Sequence, residues 1–503
     1  MSSSVNTLTF SGIRINEVKV QTSIVPGLFK IVIVGLPDKI IAEAKERVQA
    51  ALHAIGISIP SRKVLINLSP ANLIKEGSHF DLPIAVSMLT KLGILPEHEL
   101  QKFLIMGELA LNGDILSVPG VLPAAVGATN SDLGIICPEK NGPEAAWSGN
   151  SSILAPGNLL SLINHFKGSQ QLSTPPKHST HQTNRHTKDF SDVIGQEFAK
   201  RAFEIAAAGH HNVLLVGSPG AGKSMLSQSL PSILPAMSAT EILETSMLYS
   251  IAGEIKNGQL QYTRPFRSPH HSASVPAMVG GGHSKRITPG EISLSHNGVL
   301  FMDEFPEFPR VVLDALRQPM EAGKISIARA EAHIEYPANF QLIAAMNHCR
   351  CGNFKNAKKM CARAPICVRD YMNKVPGPIL DRIDMFVEVE DTVSYGTTSV
   401  AKSESSSDIL KRVEAARKIQ SIRLANYGIR TNSQLDGKLL QKFATPSSDG
   451  QALLEKFANK HRLSMRSYNR LLRVGRTIAD LAAQEQIEKS DVAEAINYRE
   501  YCL

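Results

Sequence analysis

Residues 217–224 read GSPGAGKS, an eight-residue loop that opens on glycine, closes on Gly-Lys-Ser, and follows the apolar run 213–216. Glycine reaches backbone conformations closed to other residues, so successive N–H groups in such a loop can converge on one anion. Gly217, Ser218, Pro219, Gly220, Ala221 and Gly222 would form the cradle, Lys223 would neutralise the outer phosphates of ATP, and Ser224 would ligate magnesium. The residues that follow, 225–230, can begin a helix whose N-terminal dipole also favours the phosphates. A glycine-rich turn with an exposed lysine is the plain alternative, and a second motif argues against it. That motif is GVLFMDE at 298–304, an apolar strand ending in two carboxylates. Asp303 is placed to hold magnesium through water, and Glu304 to polarise the water that attacks the terminal phosphate.

Three further elements extend the pattern. Asn347 ends the apolar run FQLIAAMN, and would lie beside the γ-phosphate if that strand sits between the other two. Arg382, in GPILDRID, suits the role of an arginine offered to a neighbouring subunit's nucleotide. Arg466 and Arg470 stand one helical turn apart in LSMRSYNRLL, on a face that can reach phosphate from the C-terminal region. Each arginine alone could be a surface ion pair; their order in the chain resembles that of an AAA+ ATPase.

Working outward, the chain has 503 residues, enough for two to four cores, with 43% hydrophobic and 20% charged residues. The fold class expected is multidomain α/β. Residues 8–165 alternate short β-rich runs (30–34, 63–67, 104–107, 134–136) with helix-like stretches (40–55, 82–91). The stretch 168–188, rich in Ser, Thr, Gln, Pro and His, reads as a linker between a domain at 1–167 and a second α/β domain at 189–392, with strands at 299–302, 324–327 and 340–346. The remainder, 393–503, shows helical spacing, as in Leu410, Val413, Ala416 and Ile419 and again in Leu471, Val474, Ile478 and Leu481. No apolar run reaches the roughly 18 residues of a membrane helix, and MSSSVNTLTF lacks the pattern of a signal peptide, so a cytoplasmic protein with no membrane contact is expected.

The stretch RPFRSPHHSASVPAMVGGGHSKRITPGEISLSHNGVLFMDEFPEF, with ALRQPMEAGKISIARA, NFQLIAAMNHCRCGNF and GPILDRID, resembles the magnesium-chelatase-like AAA+ ATPases of the ComM/YifB family, and the resemblance runs over nearly the whole chain. It implies a homo-oligomeric ring, a hexamer, that works on DNA (single-stranded, duplex or branched) as a branch-migration helicase in natural transformation. It carries the roles above onto Lys223, Ser224, Asp303, Glu304, Asn347, Arg382 and Arg466, and brings 193–196 near the adenine. The N-terminal part, with INLSPANLIKEGSHFDLPIAVSML and GELALNGDILSVPGVLPAA, resembles the Lon-protease-like (ribosomal S5 domain 2-like) fold. It departs from active proteases, because the segment after Gly77 offers no serine in the expected setting except Ser78, and Leu122 stands where a catalytic lysine would be. A nucleophile without its activating amine is weak at neutral pH, so this domain reads as a structural or regulatory platform.

The net charge of +8 and pI of 9.0 fit a polyanionic partner. Lys and Arg at 350, 355, 358, 359, 363, 369 and 374 face one acid, Asp370, in the insert 347–374, and residues 264–290 hold four basic residues and no acid. Lys285, Arg286, Lys355, Lys358 and Lys359 are the candidate DNA contacts, although charge runs usually mark solvated faces. Cys349, Cys351, Cys361 and Cys367 offer four thiolates for structural zinc, against the alternative of a metal-free loop with buried or free thiols; Cys137 and Cys502 stand alone. Adjacent His270 and His271 are expected to point apart and to serve loop packing or phosphate contact rather than metal. Three rival functions remain: a chelatase motor subunit, an ATP-dependent Lon-like peptidase, and a scaffold that binds ATP without turnover.

Overall fold

The computed structural model describes residues 2–176, 188–281, 287–329, 332–351, 365–390 and 403–499. Of the expected sites, Lys285, Arg286, Lys355, Lys358, Lys359 and Cys361 lie outside these residues, as does most of the expected linker.

Alternation builds the first sheet. In β1 (Ser3–Ser11), Val5 and Thr7 turn inward while Ser4 and Asn6 stay partly exposed, the period of two expected of a strand with one covered face. β2 (Arg14–Val25) returns antiparallel, with Ser3 opposite Thr22 and Ser11 opposite Arg14. Gly12 makes the reversal at φ +66°, and a Cβ there would stand 2.4 Å from the Glu335 carbonyl oxygen, so only glycine lets this hairpin lie against the second α/β unit. β3 (Lys30–Val34), β4 (Lys63–Ser69), β5 (Phe103–Ile105), β6 (Gly134–Ile136) and β7 (Ile153–Leu154) complete a seven-stranded sheet in the order β3-β4-β2-β1-β5-β6-β7. Of its helices, α1 (Lys39–Ala54) starts where the Asp38 carboxylate caps the Ile41 N–H, α2 (Asp81–Lys91) is apolar nearly all round because α1 covers it against the sheet, and α3 (Val121–Asn130) follows.

In the second unit, α4 (Glu197–Gly209) precedes β8 (Val213–Gly217), after which come α5 (Lys223–Ser229), α6 (Ala239–Ala252), β9 (Phe266–Arg267) and β10 (Val299–Met302). β11 (Lys324–Arg329) and β12 (Ala332–Pro337) pair with each other, outside the main sheet, and β13 (Gln341–Met346) and β14 (Met385–Val389) close it. The order is β9-β10-β13-β8-β14, all parallel, so β13 does lie between β10 and β8. Both faces are covered, which is why these strands read as unbroken apolar runs. Val213, Leu215, Phe301, Ile343 and Val387 face α4 and the C-terminal helices; Leu214, Val216, Leu300, Met302 and Phe386 face Leu248, Met278, Phe308 and Leu313.

The chain from Ser406 is helical: α7 (Ser406–Leu424), α8 (Ser448–His461), α9 (Met465–Leu481) and α10 (Lys489–Asn497). α7 and α9 pack on α4, and Arg417 and Gln420 donate to the carbonyls of Ala207 and Ala208, satisfying groups that the end of α4 leaves open. The buried stripe of α7 is Ile409, Val413, Ala416 and Gln420, rotated slightly from the Leu410 to Ile419 stripe expected from apolarity alone, because Gln420 is spent on capping α4.

The first unit meets the second through Ser250 of α6. Its carbonyl accepts from Gly120 N–H (2.9 Å), and its hydroxyl donates to the buried carboxyl of Glu144 (2.5 Å). Burial pushes that carboxyl up, against the lowering pull of Ser250, Asn141 and the Leu122 N–H. Ser78 falls in a single turn, Ser78–Phe80, and Leu122 is wholly buried with no amine at its position. Among the described residues, no helix is long and apolar enough to cross a membrane.

Candidate nucleotide site and its companion arginine cleft

In an open parallel sheet, ligands bind in the crevice beyond the carboxyl ends of the strands, and the loops after β8, β10, β13 and β9 all open there. Gly220 and Gly222 hold φ +84° and +91°, with open space where a Cβ would point, so the loop presents N–H groups to a ligand rather than side chains. Gly222 directly precedes α5. Lys223 curls back into this hollow, where its amine donates to the carbonyls of Gly217 (2.9 Å) and Ser218 (2.8 Å) and to Oδ1 of Asn347 (3.0 Å). Asn347 thus lies beside the lysine, as its place after β13 requires.

Ser224 Oγ and Asp303 Oδ2 are 2.9 Å apart, and the other Asp303 oxygen accepts the N–H of Glu304 at 2.9 Å. A hydroxyl and a carboxylate side by side at the head of a phosphate loop suit magnesium, a hard cation that is commonly held by one or two oxygen side chains while its other positions go to water and phosphate. The oxygen donors fit the ion. Glu304 adopts φ +50°, uncommon for a residue with a side chain, so the extended run of β10 does not continue through it. His271 Nδ1 lies 3.0 Å from Glu304 Oε2. The rings of His270 and His271 lie with centroids 4.1 Å apart, tilted by 34°, so the expectation that they point apart is corrected: a turn at 271–272 brings them together.

The arginines gather elsewhere. Arg382, Arg466, Arg470 and Arg473 line a cavity of 680 Å³ together with His210, Asn212, Glu321 and Asp384. Asn212 precedes β8 and Asp384 precedes β14, so this cleft lies at the amino ends of the strands, the far side of the sheet from Lys223. The 5 residues of β8 alone separate the two sites by about 15 Å at ~3.3 Å per residue. Arg470 pairs with Asp384 at 2.6 Å. Burial would raise the Asp384 carboxyl, but Arg470, His211 and the Asn212 N–H together hold it well below the usual carboxylate range. Arg382 donates to the Pro378 carbonyl (2.6 Å) and to Glu321. Nε of Arg382, Nε of Arg470 and Nε2 of His210 are buried without a hydrogen-bond partner, a concentration of unmet polar groups that suits an anion. Arg473, which follows Arg466 and Arg470 on the same helical face, belongs to this set beyond the arginines expected from the sequence, and its spacing of three residues from Arg470 is the signal for it.

Beyond Asn347, Cys349, Cys351 and Cys367 bring their sulfurs within 4.8 Å of one another, the first two at 3.2 Å. Three converging thiols fit one zinc ion, whose fourth ligand would come from Cys361 or solvent. One zinc per chain should be found by metal analysis of protein purified without chelator. Cys349→Ser and Cys367→Ser should each lower retention at least tenfold, since a thiolate ligand contributes several kcal/mol to such a site. Full retention in both would refute the site.

The chain matches the family model described as "Magnesium chelatase, subunit ChlI" over residues 189–396, with "Subunit ChlI of Mg-chelatase" over 20–141 and "Magnesium chelatase, subunit ChlI C-terminal" over 403–499. It is 39% identical over 493 residues to Competence protein ComM of Haemophilus influenzae, covering 97% of this chain and 95% of that protein. It is 40% identical over 497 residues to YifB of Escherichia coli, covering 98% and 96%. A stretch of 87 residues is 36% identical to an archaeal Lon protease of Thermococcus kodakarensis, covering 17% of this chain and 12% of that one. With its phosphate loop, acid strand and asparagine at the carboxyl ends of a parallel sheet, the chain belongs to the ComM/YifB family of magnesium-chelatase-like AAA+ proteins.

Proposed function

We propose that this protein is an ATP-hydrolysing DNA motor that assembles as a ring, a hexamer by family resemblance, and promotes branch migration and the integration of incoming DNA in natural transformation. One observation carries the reading: the phosphate loop and the arginine cleft lie at opposite ends of one sheet, so a complete site calls for a second copy. The name of the Haemophilus relative, a competence protein, supports the biological setting.

In this mechanism the amides of 217–224 bind the phosphates, and Lys223 exchanges its contacts with Gly217, Ser218 and Asn347 for phosphate oxygens. Ser224 and Asp303 would hold magnesium, which when bound neutralises charge on the phosphate oxygens. Glu304 takes a proton from the attacking water, and Asn347 orients that water or the γ-phosphate. Arg382 leaves Glu321 to meet the charge developing on a neighbour's nucleotide, with Arg466 and Arg470 beside it. The domain division that goes with this reading is 1–167, a Lon-like platform without a catalytic dyad, then 189–392 and 393–503.

DNA would travel along the basic inserts 264–290 and 347–374. Phosphate contacts release counterions, so binding should weaken steeply with salt and depend little on base sequence. Changing Lys355, Lys358 and Lys359 together to alanine should flatten the slope of log affinity against log salt by about two to three, and should slow resolution of a movable junction while leaving DNA-free hydrolysis near normal. An unchanged slope with unchanged junction movement would remove the insert from the DNA path.

A further inference from the structure

The sulfurs of Cys349, Cys351 and Cys367 stand where two segments of the nucleotide site meet. Cys349 is wholly buried, two residues past Asn347, whose Oδ1 accepts from Lys223 at 3.0 Å. Between them, His348 Nε2 lies 3.1 Å from Glu388 Oε1 in β14, the strand that runs beside the start of the phosphate loop. Cys367 comes from the other segment, the helix Ile366–Met372. That helix leads to Lys374, whose amine donates to Glu307 at 2.8 Å in the turn Phe305–Glu307, directly after Glu304. Tyr371, on the same helix, is buried between both sets of groups: burial, with Glu307, Glu304, Cys349 and Asp303, pushes its phenol up to about 12. The sulfurs thus clasp the loop that begins at Asn347 to the helix that braces the turn after the acid strand.

Accessibility divides the roles of the two nearest thiols. Cys351 is exposed and Cys349 buried, with their sulfurs 3.2 Å apart. An accessible thiol poised beside a second, resolving one is the arrangement by which protein thiols respond to peroxide. We propose that Cys349 and Cys351 form a reversible redox modification site that slows ATP turnover when oxidised. The control it exerts rests on the ATPase reading above. Hydrogen peroxide is the oxidant. The Cys351 sulfur attacks one peroxide oxygen, the O–O bond breaks, and the departing hydroxide leaves with the thiol proton as water, so that Cys351 carries a sulfenic acid. The Cys349 sulfur then attacks that of Cys351, the S–O bond breaks, and a second water leaves. Two thiols and one peroxide therefore give one disulfide and two waters. Bond formation shortens the sulfur separation by about 1 Å, and it removes the two thiols that face Cys367. The clasp opens at a point two residues from Asn347.

The test takes the full chain, fully reduced and then treated with hydrogen peroxide, as the parent and as Cys351→Ser. Peptide mass mapping of the treated parent should find Cys349 joined to Cys351. Its DNA-free kcat should fall by about a hundredfold, the scale on which displacing a positioned group by about 1 Å acts, and should recover with dithiothreitol. Binding of a fluorescent ATP analogue should change little, because the phosphate loop is untouched. Cys351→Ser, at an exposed position that tolerates the change, should keep its own untreated rate in peroxide. A parent that forms no disulfide, or joins either residue to Cys361 or Cys367 instead, overturns the site. A Cys349–Cys351 disulfide with an unchanged rate overturns the control, as does equal inhibition of Cys351→Ser. If the reduced parent hydrolyses no ATP, the ATPase reading itself falls, and the mapping still decides whether the two thiols are a redox site.

Discussion

Glu304→Gln should bind ATP as tightly as the parent and turn it over about a thousandfold more slowly, the scale of losing a general base along with its charge. The phosphate cradle, Lys223 and the Ser224–Asp303 pair do not depend on the Glu304 side chain, which touches His271 instead. Lys223→Ala removes the one amine that sits among the Gly217 and Ser218 carbonyls and Asn347. It should therefore weaken ATP binding by about a hundredfold, as expected when a charged hydrogen-bonding group is taken from a phosphate. A fluorescent ATP analogue separates the two variants by binding, and phosphate release separates them by turnover. Equal loss of binding in both would show that Glu304 helps hold the nucleotide.

The second large effect concerns Arg382. Arg382→Ala should keep ATP binding and lower hydrolysis by about a thousandfold, because arginines supplied to a neighbour's phosphoryl group contribute on that scale. Mixing it with Lys223→Ala should restore part of the activity. One subunit then brings an intact phosphate loop and the other an intact arginine cleft, so that some interfaces in a mixed ring are complete. The placement of Arg382 at the amino ends of β8 and β14 makes rescue in trans the expected outcome, since the same chain's loop lies across the sheet. Absence of rescue under conditions where subunits exchange would contradict it.

How much of this was legible in the sequence depended on whether local pattern or tertiary arrangement decided each feature. β10 and β6 were readable to the residue because each is an apolar run between breakers. The β1–β2 hairpin was not, because Ser, Thr, Asn, Lys and Glu interrupt its apolar positions and its turn, Gly12, is shaped by contact with Glu335 of the other unit. Residues 324–327 do form a strand, but its place in a hairpin outside the main sheet depends on pairing with β12, which spacing does not encode. The phosphate loop, Asp303 and Asn347 were legible because chemistry fixes their residue types at strand ends. The gathering of Arg382, Arg466, Arg470 and Arg473 at the amino ends was not, since which end of a strand a distant helix meets is a property of the packed fold. His271 beside Glu304 belongs to the same class: one turn at 271–272 reverses the usual divergence of adjacent side chains.

Whether DNA is the partner that ATP turnover serves will show in the ATP hydrolysis of the assembled protein, measured with no DNA, single-stranded DNA, duplex and a four-way junction. Basal turnover should rise with DNA, most with the branched substrate, and should disappear in Glu304→Gln. Hydrolysis that is the same in all four conditions, in a protein shown to be an assembled ring, would contradict it and turn attention to a chelatase-like motor or a scaffold.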